Sequence, residues 1–392
     1  MIQDEFVKHV QICGAEFNRS KQPVVLFHHN DSDGISSAAI LTAAFERAGI
    51  SFRRYCLEKP YPQVVTQILN LHKNEKPRVV VADFGSGMLD EWARHAEAYQ
   101  KLFILDHHSV VGNTYPQMEV INPIQYQLLG LPDCTASAVC FLFALGMHAD
   151  NIDLAQLAVL GFVGDRAYDS ENALSGVNEL VRSLVGLTFD RNAKESAWGA
   201  WSVQKIVECI DTLGSIAYFR GGPDVALKGA REFNGPALVH FAEKYDQELI
   251  TLKNQPPALE FERGLYFFSL IQGAQPIGVK TVGLMCEHLV ATRPQLESSY
   301  LAGFQIVPNQ IPGLGPINLN QIKISMRVGP ELRKQINTNQ ASSLADLLPA
   351  ATKEVGGFVD ACHPFAAATT IPLDAKEAFI KALTRRISSK GA

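Results

Sequence analysis

The chain has 392 residues, 47% of them hydrophobic, and a formal net charge of −5 with neutral histidines. That length exceeds one ordinary domain and suits two domains with a connector, while no stretch approaches the apolar run that a membrane-spanning helix needs. The charge lacks the global basic footprint of proteins that grip long nucleic acid, and the seven scattered cysteines, with no Cys-x-x-Cys pair, argue against a disulfide framework or zinc ribbon and for a reducing cytoplasm.

The first residues, Met1 to Phe6, are polar and acidic at Asp4 and Glu5, unlike a secretory signal. From about residue 23 to 165, strand-like and helix-like segments alternate. Strands are expected over Val24 to His29, Arg78 to Ala82, Lys101 to Leu105 and Met118 to Ile121. Helices are expected over Ser36 to Ala48, Tyr61 to His72, Leu89 to Tyr99, Thr135 to Met147 and Leu154 to Val163. This alternation implies an α/β fold, a mostly parallel sheet flanked by helices. Residues 186–258 read as a helical connector, with helical patterns from Trp198 to Leu213 and Ala237 to Lys253, ended by Pro256 and Pro257. Beyond them, strand-like runs at Leu265 to Ile271, Val279 to Met285, Tyr300 to Ile306 and Gln321 to Val328 precede helical patterns near Leu344 to Glu354 and Leu373 to Ile387. A second, smaller α/β domain fits 259–392, after a first domain at 1–185. Gln310 to Pro316 reads as a loop.

Ligand-type residues stand at the ends of several apolar runs. Asp31 and Asp33 follow the first strand, Asp83 the run Val79 to Ala82, Asp106, His107 and His108 the run ending at Leu105, and Asp165 the helix ending near Val163. Ligands of parallel sheets bind beyond the carboxyl ends of strands, so these residues are expected to meet there. His29, Asp31 and Asp33 alternate and would face one way on an extended backbone, with Gly34 turning the chain into the next helix. Hard oxygen donors with imidazoles suit manganese or magnesium. A carboxylate such as Asp83 can bridge two ions about 3.5–4 Å apart, a spacing suited to phosphoryl transfer. Taken singly, an aspartate after a strand is most simply a helix cap or turn residue. His28 reads as a strand residue, and Asp90 and Asp169 as helix-end or surface acids.

The set His29 to Gly34, Ala82 to Gly85, Asp106 to His108 and Gly164-Asp165 resembles the DHH phosphoesterase family, which includes RecJ-type exonucleases, nano-RNases and cyclic-dinucleotide phosphodiesterases. Asn122-Pro123 and Thr135 to Ser137 resemble it too, at the places between. The resemblance implies that His29 and Asp31 serve one metal, that Asp83 bridges, and that Asp33, His107 and Asp165 complete the other. It implies a phosphate contact for His108 and a supporting role for Asp106. Gly356 to Ala368, with Gly357 and His363 inside it, resembles the glycine-rich, histidine-containing segment of the DHH-associated substrate-binding domain, and Ser325 to Arg327 its Ser-x-Arg strand. Ala368 departs from the pattern, where relatives often carry glycine. Gly356, Gly357, Arg327 and His363 are thus the expected substrate contacts, with Arg327 and His108 stabilising charge on phosphorus.

The implied activity is manganese-dependent hydrolysis of phosphodiesters by two ions, with magnesium as a substitute. The mild acidity favours short single-stranded oligonucleotides, cut from one end to mononucleotides, over a processive grip on long strands. The alternatives are a RecJ-like single-strand DNA exonuclease, for which Arg220, Lys228 and Arg231 beside Phe219 and Phe233 are candidate contacts, and hydrolysis of cyclic dinucleotides or 3′-phosphoadenosine 5′-phosphate. A non-catalytic scaffold on the same fold predicts eroded ligands, and every expected acid and histidine is present.

Overall fold

Apolar runs of four to six residues form four of the five strands of the first sheet, and their near-continuous burial shows why they lack alternation: both faces are covered. The computed structural model describes residues 2–270 and 276–388. It divides into one compact unit of Met1–Tyr245 with Ile311–Gly315, and a second of Asp246–Gln310 with Pro316–Ala392.

The first unit opens with α1 (Ile2–Asn18), whose Phe6, Val10, Cys13 and Phe17 form a buried stripe at helical spacing. Then follow β1 (Val24–His29), α2 (Ser32–Arg47), β2 (Phe52–Leu57), α3 (Pro62–His72), β3 (Arg78–Ala82), the short α4 (Leu89–Ala93), β4 (Lys101–Leu105) and β5 (Met118–Ile121). The five strands are all parallel in the order β2-β1-β3-β4-β5. The chain leaves β1 toward one edge and returns on its other side as β3, so a topological switch point, the usual ligand crevice of such sheets, lies between them. Next come α5 (Ala136–Met147) and α6 (Ala155–Gly164), apolar on every side and correspondingly buried, then α7 (Gly176–Leu184). α1 and α2 pack on α5, and α2 packs on α6.

The stretch expected to be a connector holds α8 (Val203–Ser215), α9 (Gly222–Arg231) and α10 (Gly235–Asn254). α8 packs on α6, and α9 on α8 and α2, so most of this stretch is part of the first unit's wall.

The second unit is a mixed sheet of six strands in the order β12-β13-β11-β8-β7-β6. Its elements are β6 (Glu260–Glu262), β7 (Leu265–Leu270), α11 (Thr281–Thr292), β8 (Tyr300–Ile306), β11 (Gln321–Val328), α12 (Pro330–Asn337), α13 (Leu344–Glu354), β12 (Phe358–Cys362), β13 (Ala366–Pro372) and α14 (Lys376–Ser388), while the two-residue strands β9 (Gln310–Ile311) and β10 (Gly315–Pro316) stand at the two ends of the first unit's Ile311–Gly315. The expected strand Val279 to Met285 is the start of helix α11. Its buried Val282, Met285, Cys286 and Leu289 follow a helical period that the β-branched residues obscured. Ile271, the end of another expected strand, lies outside the described residues. No helix among the described residues is long and apolar enough to cross a membrane.

Candidate metal centre

The backbone does not stay extended after β1. Asp31 is the N-cap of α2, its side chain accepting a hydrogen bond from the Gly34 amide at 3.2 Å, and Asp33 sits in the first helical turn. Gly34 is needed for proximity: a Cβ there would lie 2.5 Å from the His29 carbonyl oxygen. The simple cap role and the ligand position therefore coincide in Asp31, whose Oδ2 is 2.6 Å from His29 Nδ1. Asp33 is fully buried, and its two oxygens accept the Ala136 and Ser137 amides at the start of α5, at 2.7 and 2.9 Å.

Asp83 follows β3 with φ 65°, a left-handed conformation that is costly away from glycine and characteristic of functional positions. Its Oδ2 is 3.5 Å from His29 Nδ1, and its Oδ1 is 3.4 Å from His107 Nε2. His107 Nε2 is also 3.4 Å from Asp165 Oδ2 and 3.9 Å from Asp33 Oδ2. Asp165 caps the C-terminus of α6, the wrong end for an anion beside a helix dipole unless a cation offsets it. The ligand atoms thus fall into two groups that share Asp83: His29, Asp31 and Asp83, and Asp33, Asp83, His107 and Asp165. Within each group all lie within 4.8 Å of one another. The His107 Nε2 that faces these carboxylates is buried without a hydrogen-bond partner, which a coordinated cation would satisfy.

The electrostatics agree. Burial pushes the Asp33 carboxyl up, and burial with repulsion from Asp31, Asp33 and Asp165 pushes Asp83 far above the usual carboxylate range. Burial lowers His107 despite its acidic neighbours, leaving the neutral imidazole that metal ligation requires. The donor set of carboxylates and imidazoles fits two hard divalent cations.

Asp106 organises the turn after β4. It is fully buried; its Oδ1 accepts the amides of His107 and His108 at 2.8 and 3.2 Å, and its Oδ2 accepts the Ser86 amide at 2.9 Å. Oδ1 also lies 2.8 Å from His108 Nδ1. Burial opposes this carboxylate's charge, yet the His108 hydrogen bond and the nearby imidazoles hold its pKa well below the usual range. Burial would lower His108, but Asp106 outweighs it and raises the imidazole's pKa. The His108 side chain is 57% exposed, so the ring is presented to solvent next to the acidic cluster. Asn122 Nδ2 donates to the His108 carbonyl oxygen and to Ser86 Oγ, both at 2.9 Å.

Other residues fall outside the cluster. His28 is a buried strand residue beside Arg54, while Asp90 and Asp169 accept local loop hydrogen bonds. Asp211 of α8 was not anticipated: its Oδ1 accepts the Ser32 amide at 2.9 Å and braces the ligand turn from the segment expected to be a connector. Its signal was a lone acid between the apolar Ile210 and Leu213.

In the second unit, Arg327 lies on β11. Its Nη2 is 2.6 Å from Glu287 Oε1, and its Nη1 donates to the Met326 carbonyl at 2.9 Å. It lines a cleft of about 790 Å³ with Glu287, Arg293, Arg333, Lys334 and Ala366. Ala366 pairs with Arg327 across the strands, and its carbonyl accepts the amide of exposed His363 at 2.9 Å, so Arg327 and His363 occupy one end of β13. Gly356 and Gly357 do not join them. Their amides satisfy the carbonyls of Lys353 and Thr352 and end α13, with Gly356 at φ 71°. Gly357 abuts Thr370, four positions along β13 from Ala366 and so about 13 Å away at the usual strand rise. Arg231 pairs with Glu46 at 2.9 Å, Arg220 stacks 4.6 Å over Tyr245, and Lys228 is 4.0 Å from Glu232.

Comparison with known proteins matches this geometry. Residues 23–162 match the family described as DHH family, N-terminal domain. An uncharacterised protein of Methanocaldococcus jannaschii is 32% identical over 156 residues, 39% of this chain and 34% of that protein, so the chain spans about a third of the curated relative's length. A structure of exonuclease RecJ bound to manganese is similar with TM-score 0.63 and 16% identity, covering 97% of this chain and 94% of that one. RecJ from Thermus thermophilus in complex with Mn2+ follows at 0.62 and 17%, covering 98% and 55%, and the DHH domain of a member of the s1p family of ribosomal proteins at 0.61 and 16%, covering 98% and 91%. At such identities the structural likeness establishes the fold, which is RecJ-like. The domain match identifies residues 23–162, which hold the switch-point strands, as similar to the DHH family's N-terminal domain.

Proposed function

We propose that the protein is a manganese-dependent phosphodiesterase that degrades short single-stranded oligonucleotides from one end to mononucleotides. The observation that carries the reading is His107, whose buried Nε2 makes no hydrogen bond and lies 3.4–3.9 Å from carboxylate oxygens of Asp33, Asp83 and Asp165. In it, His29, Asp31 and Asp83 hold one ion, and Asp83, Asp33, His107 and Asp165 the other, with manganese preferred and magnesium a substitute. Bound there, two divalent ions would supply Lewis acidity and charge neutralisation to phosphoryl transfer. The protein's own groups do the rest. Asp106 keeps His108 protonated and aimed, and His108 donates a hydrogen bond to a non-bridging phosphate oxygen as charge develops. Residues 259–392 act as the substrate-binding domain, with Arg327 forking onto a phosphate and His363 contacting a phosphate or terminal sugar. Net charge −5 supports short substrates over long ones.

A panel of dinucleotides, longer RNA, single-stranded DNA and cyclic dinucleotides, assayed with manganese, tests the reading. Two- to five-mers should be consumed fastest and yield mononucleotides. Asp83→Asn should abolish turnover, and Arg327→Ala should raise KM by roughly tenfold or more. Strong cleavage of long strands with poor activity on two- to five-mers would replace this assignment with a RecJ-like exonuclease.

A further inference from the structure

A second group of ligand-type side chains lies on the edge of the same sheet. His9 and Cys13 stand four residues apart on α1, hence one above the other on the same helix face. Glu119 projects toward them from β5, the edge strand. His9 Nε2 is 3.5 Å from Cys13 Sγ and 3.4 Å from Glu119 Oε1, and one ligand atom from each residue lies within 4.8 Å of the other two.

These separations are those of a tetrahedral ion. Bonds of about 2.0 Å to an imidazole nitrogen or carboxylate oxygen and about 2.3 Å to a thiolate place N and S about 3.5 Å apart, and N and O about 3.3 Å apart. The surroundings leave the right atoms available. Lys101 Nζ takes the other oxygen of Glu119, Oε2, at 3.2 Å, leaving Oε1 facing His9. Tyr126 lies 5.7 Å from the His9 ring and 5.3 Å from Phe6, walling one side with aromatic surface. Cys13 is 4% exposed, whereas the His9 and Glu119 side chains are 30% and 28% exposed, so the fourth position opens to water. One thiolate, one imidazole and one carboxylate form a borderline-soft set that selects zinc over the hard ions suited to the carboxylate centre.

We propose that His9, Cys13 and Glu119 bind a zinc ion that fastens α1 to the edge strand β5. Binding exchanges the thiol proton of Cys13 for the metal: the S–H bond breaks, the Zn–S bond forms, and the proton passes to solvent. No electron is transferred. The thiolate and carboxylate together offset the charge of the ion. Its three protein ligands come from two elements, so the ion would link α1 to β5, with the fourth position left to water.

Cobalt(II) is the probe, because a thiolate ligand gives it a near-ultraviolet charge-transfer band and tetrahedral geometry gives it visible absorption. The carboxylate centre contains no cysteine and gives no such band, and Cys13→Ser separates this site from the other six cysteines. Because the carboxylate centre also takes cobalt, titrating the full chain should bring the band to saturation by three equivalents, and zinc should displace it. Cys13→Ser should remove the band, and His9→Gln should weaken cobalt binding by roughly tenfold or more. Both variants should retain the wild-type far-ultraviolet circular dichroism, and Cys13→Ser the wild-type hydrolysis. Absence of the band from the wild-type chain, or its survival in a folded Cys13→Ser variant, would overturn the proposal.

Discussion

Asp83 is under electrostatic strain: it is buried, left-handed at φ 65°, and repelled by Asp31, Asp33 and Asp165. Because its folded pKa is raised, the metal-free protein loses stability as pH climbs from the ordinary carboxylate range, about 3.9, through the raised value. Asn keeps the shape and tolerates the left-handed backbone. Asp83→Asn should therefore raise metal-free stability at neutral pH by about 1 kcal/mol or more, have no such effect well below pH 3.9, and abolish metal-dependent hydrolysis. Chemical denaturation at two pH values without metal checks the sign; equal stability of variant and wild type at neutral pH would remove the strain argument. The neighbouring pair titrates the other way. His108 gains a proton partner in Asp106, so its contribution is fully present below the imidazole's ordinary value of about 6.5 and is lost as pH rises through its raised folded pKa. His108→Gln should flatten this alkaline limb of stability and cut kcat about 10²–10³-fold while leaving manganese affinity unchanged. A parallel fall in metal affinity would instead make His108 a ligand.

The elements explain which parts of this centre were legible in the sequence. Strands β1, β3 and β4 are uninterrupted apolar runs, and the residues beyond them must emerge at one sheet edge, so Asp31, Asp83 and Asp106 could be placed together before any coordinates. The helical start at Ser32 was not legible, because the Asp-Ser-Asp-Gly run suits a turn as well as a cap. Nor was α11, whose β-branched residues mask a helical period. Close approach between helices was equally hidden. A side chain on Gly161 of α6 would run into Asp33 and Ser137, so glycine here lets α6 press against the start of α2 and hold Asp33 against the α5 amides. Gly161→Ala should destabilise the protein by about 1–3 kcal/mol through overpacking. It should also weaken manganese binding, because the displaced Oδ1 belongs to the Asp33 carboxylate, whose Oδ2 faces His107. Measuring metal affinity alongside the melting curve separates the two; lost stability with unchanged affinity would show that Asp33 is not a ligand.

At the scale of the whole chain, pattern reading found two α/β parts but missed where the first ends, because α8 and α9 look like a linker in composition while their apolar faces close the wall behind α2 and α6. Asp211 of α8 then buttresses the turn at Ser32, so that wall is part of what holds Asp31 and Asp33 in place. Among the described residues, every group of side chains suited to a metal ion lies in the first unit. A ligand stabilises only the unit that binds it, by about 2.7 kcal/mol at a hundredfold excess over Kd. For a unit of this size that is an upward shift of roughly 5–10 °C in Tm. The three tryptophans, Trp92, Trp198 and Trp201, also lie in the first unit, so their fluorescence reports on it alone, whereas far-ultraviolet circular dichroism reports on both. Manganese should move the fluorescence transition upward and leave part of the circular dichroism transition where it was. Asp83→Asn should show no manganese-induced shift of either. If both signals instead move together by the same amount in the wild-type protein, the two units unfold as one, and metal binding in the first is felt throughout the second.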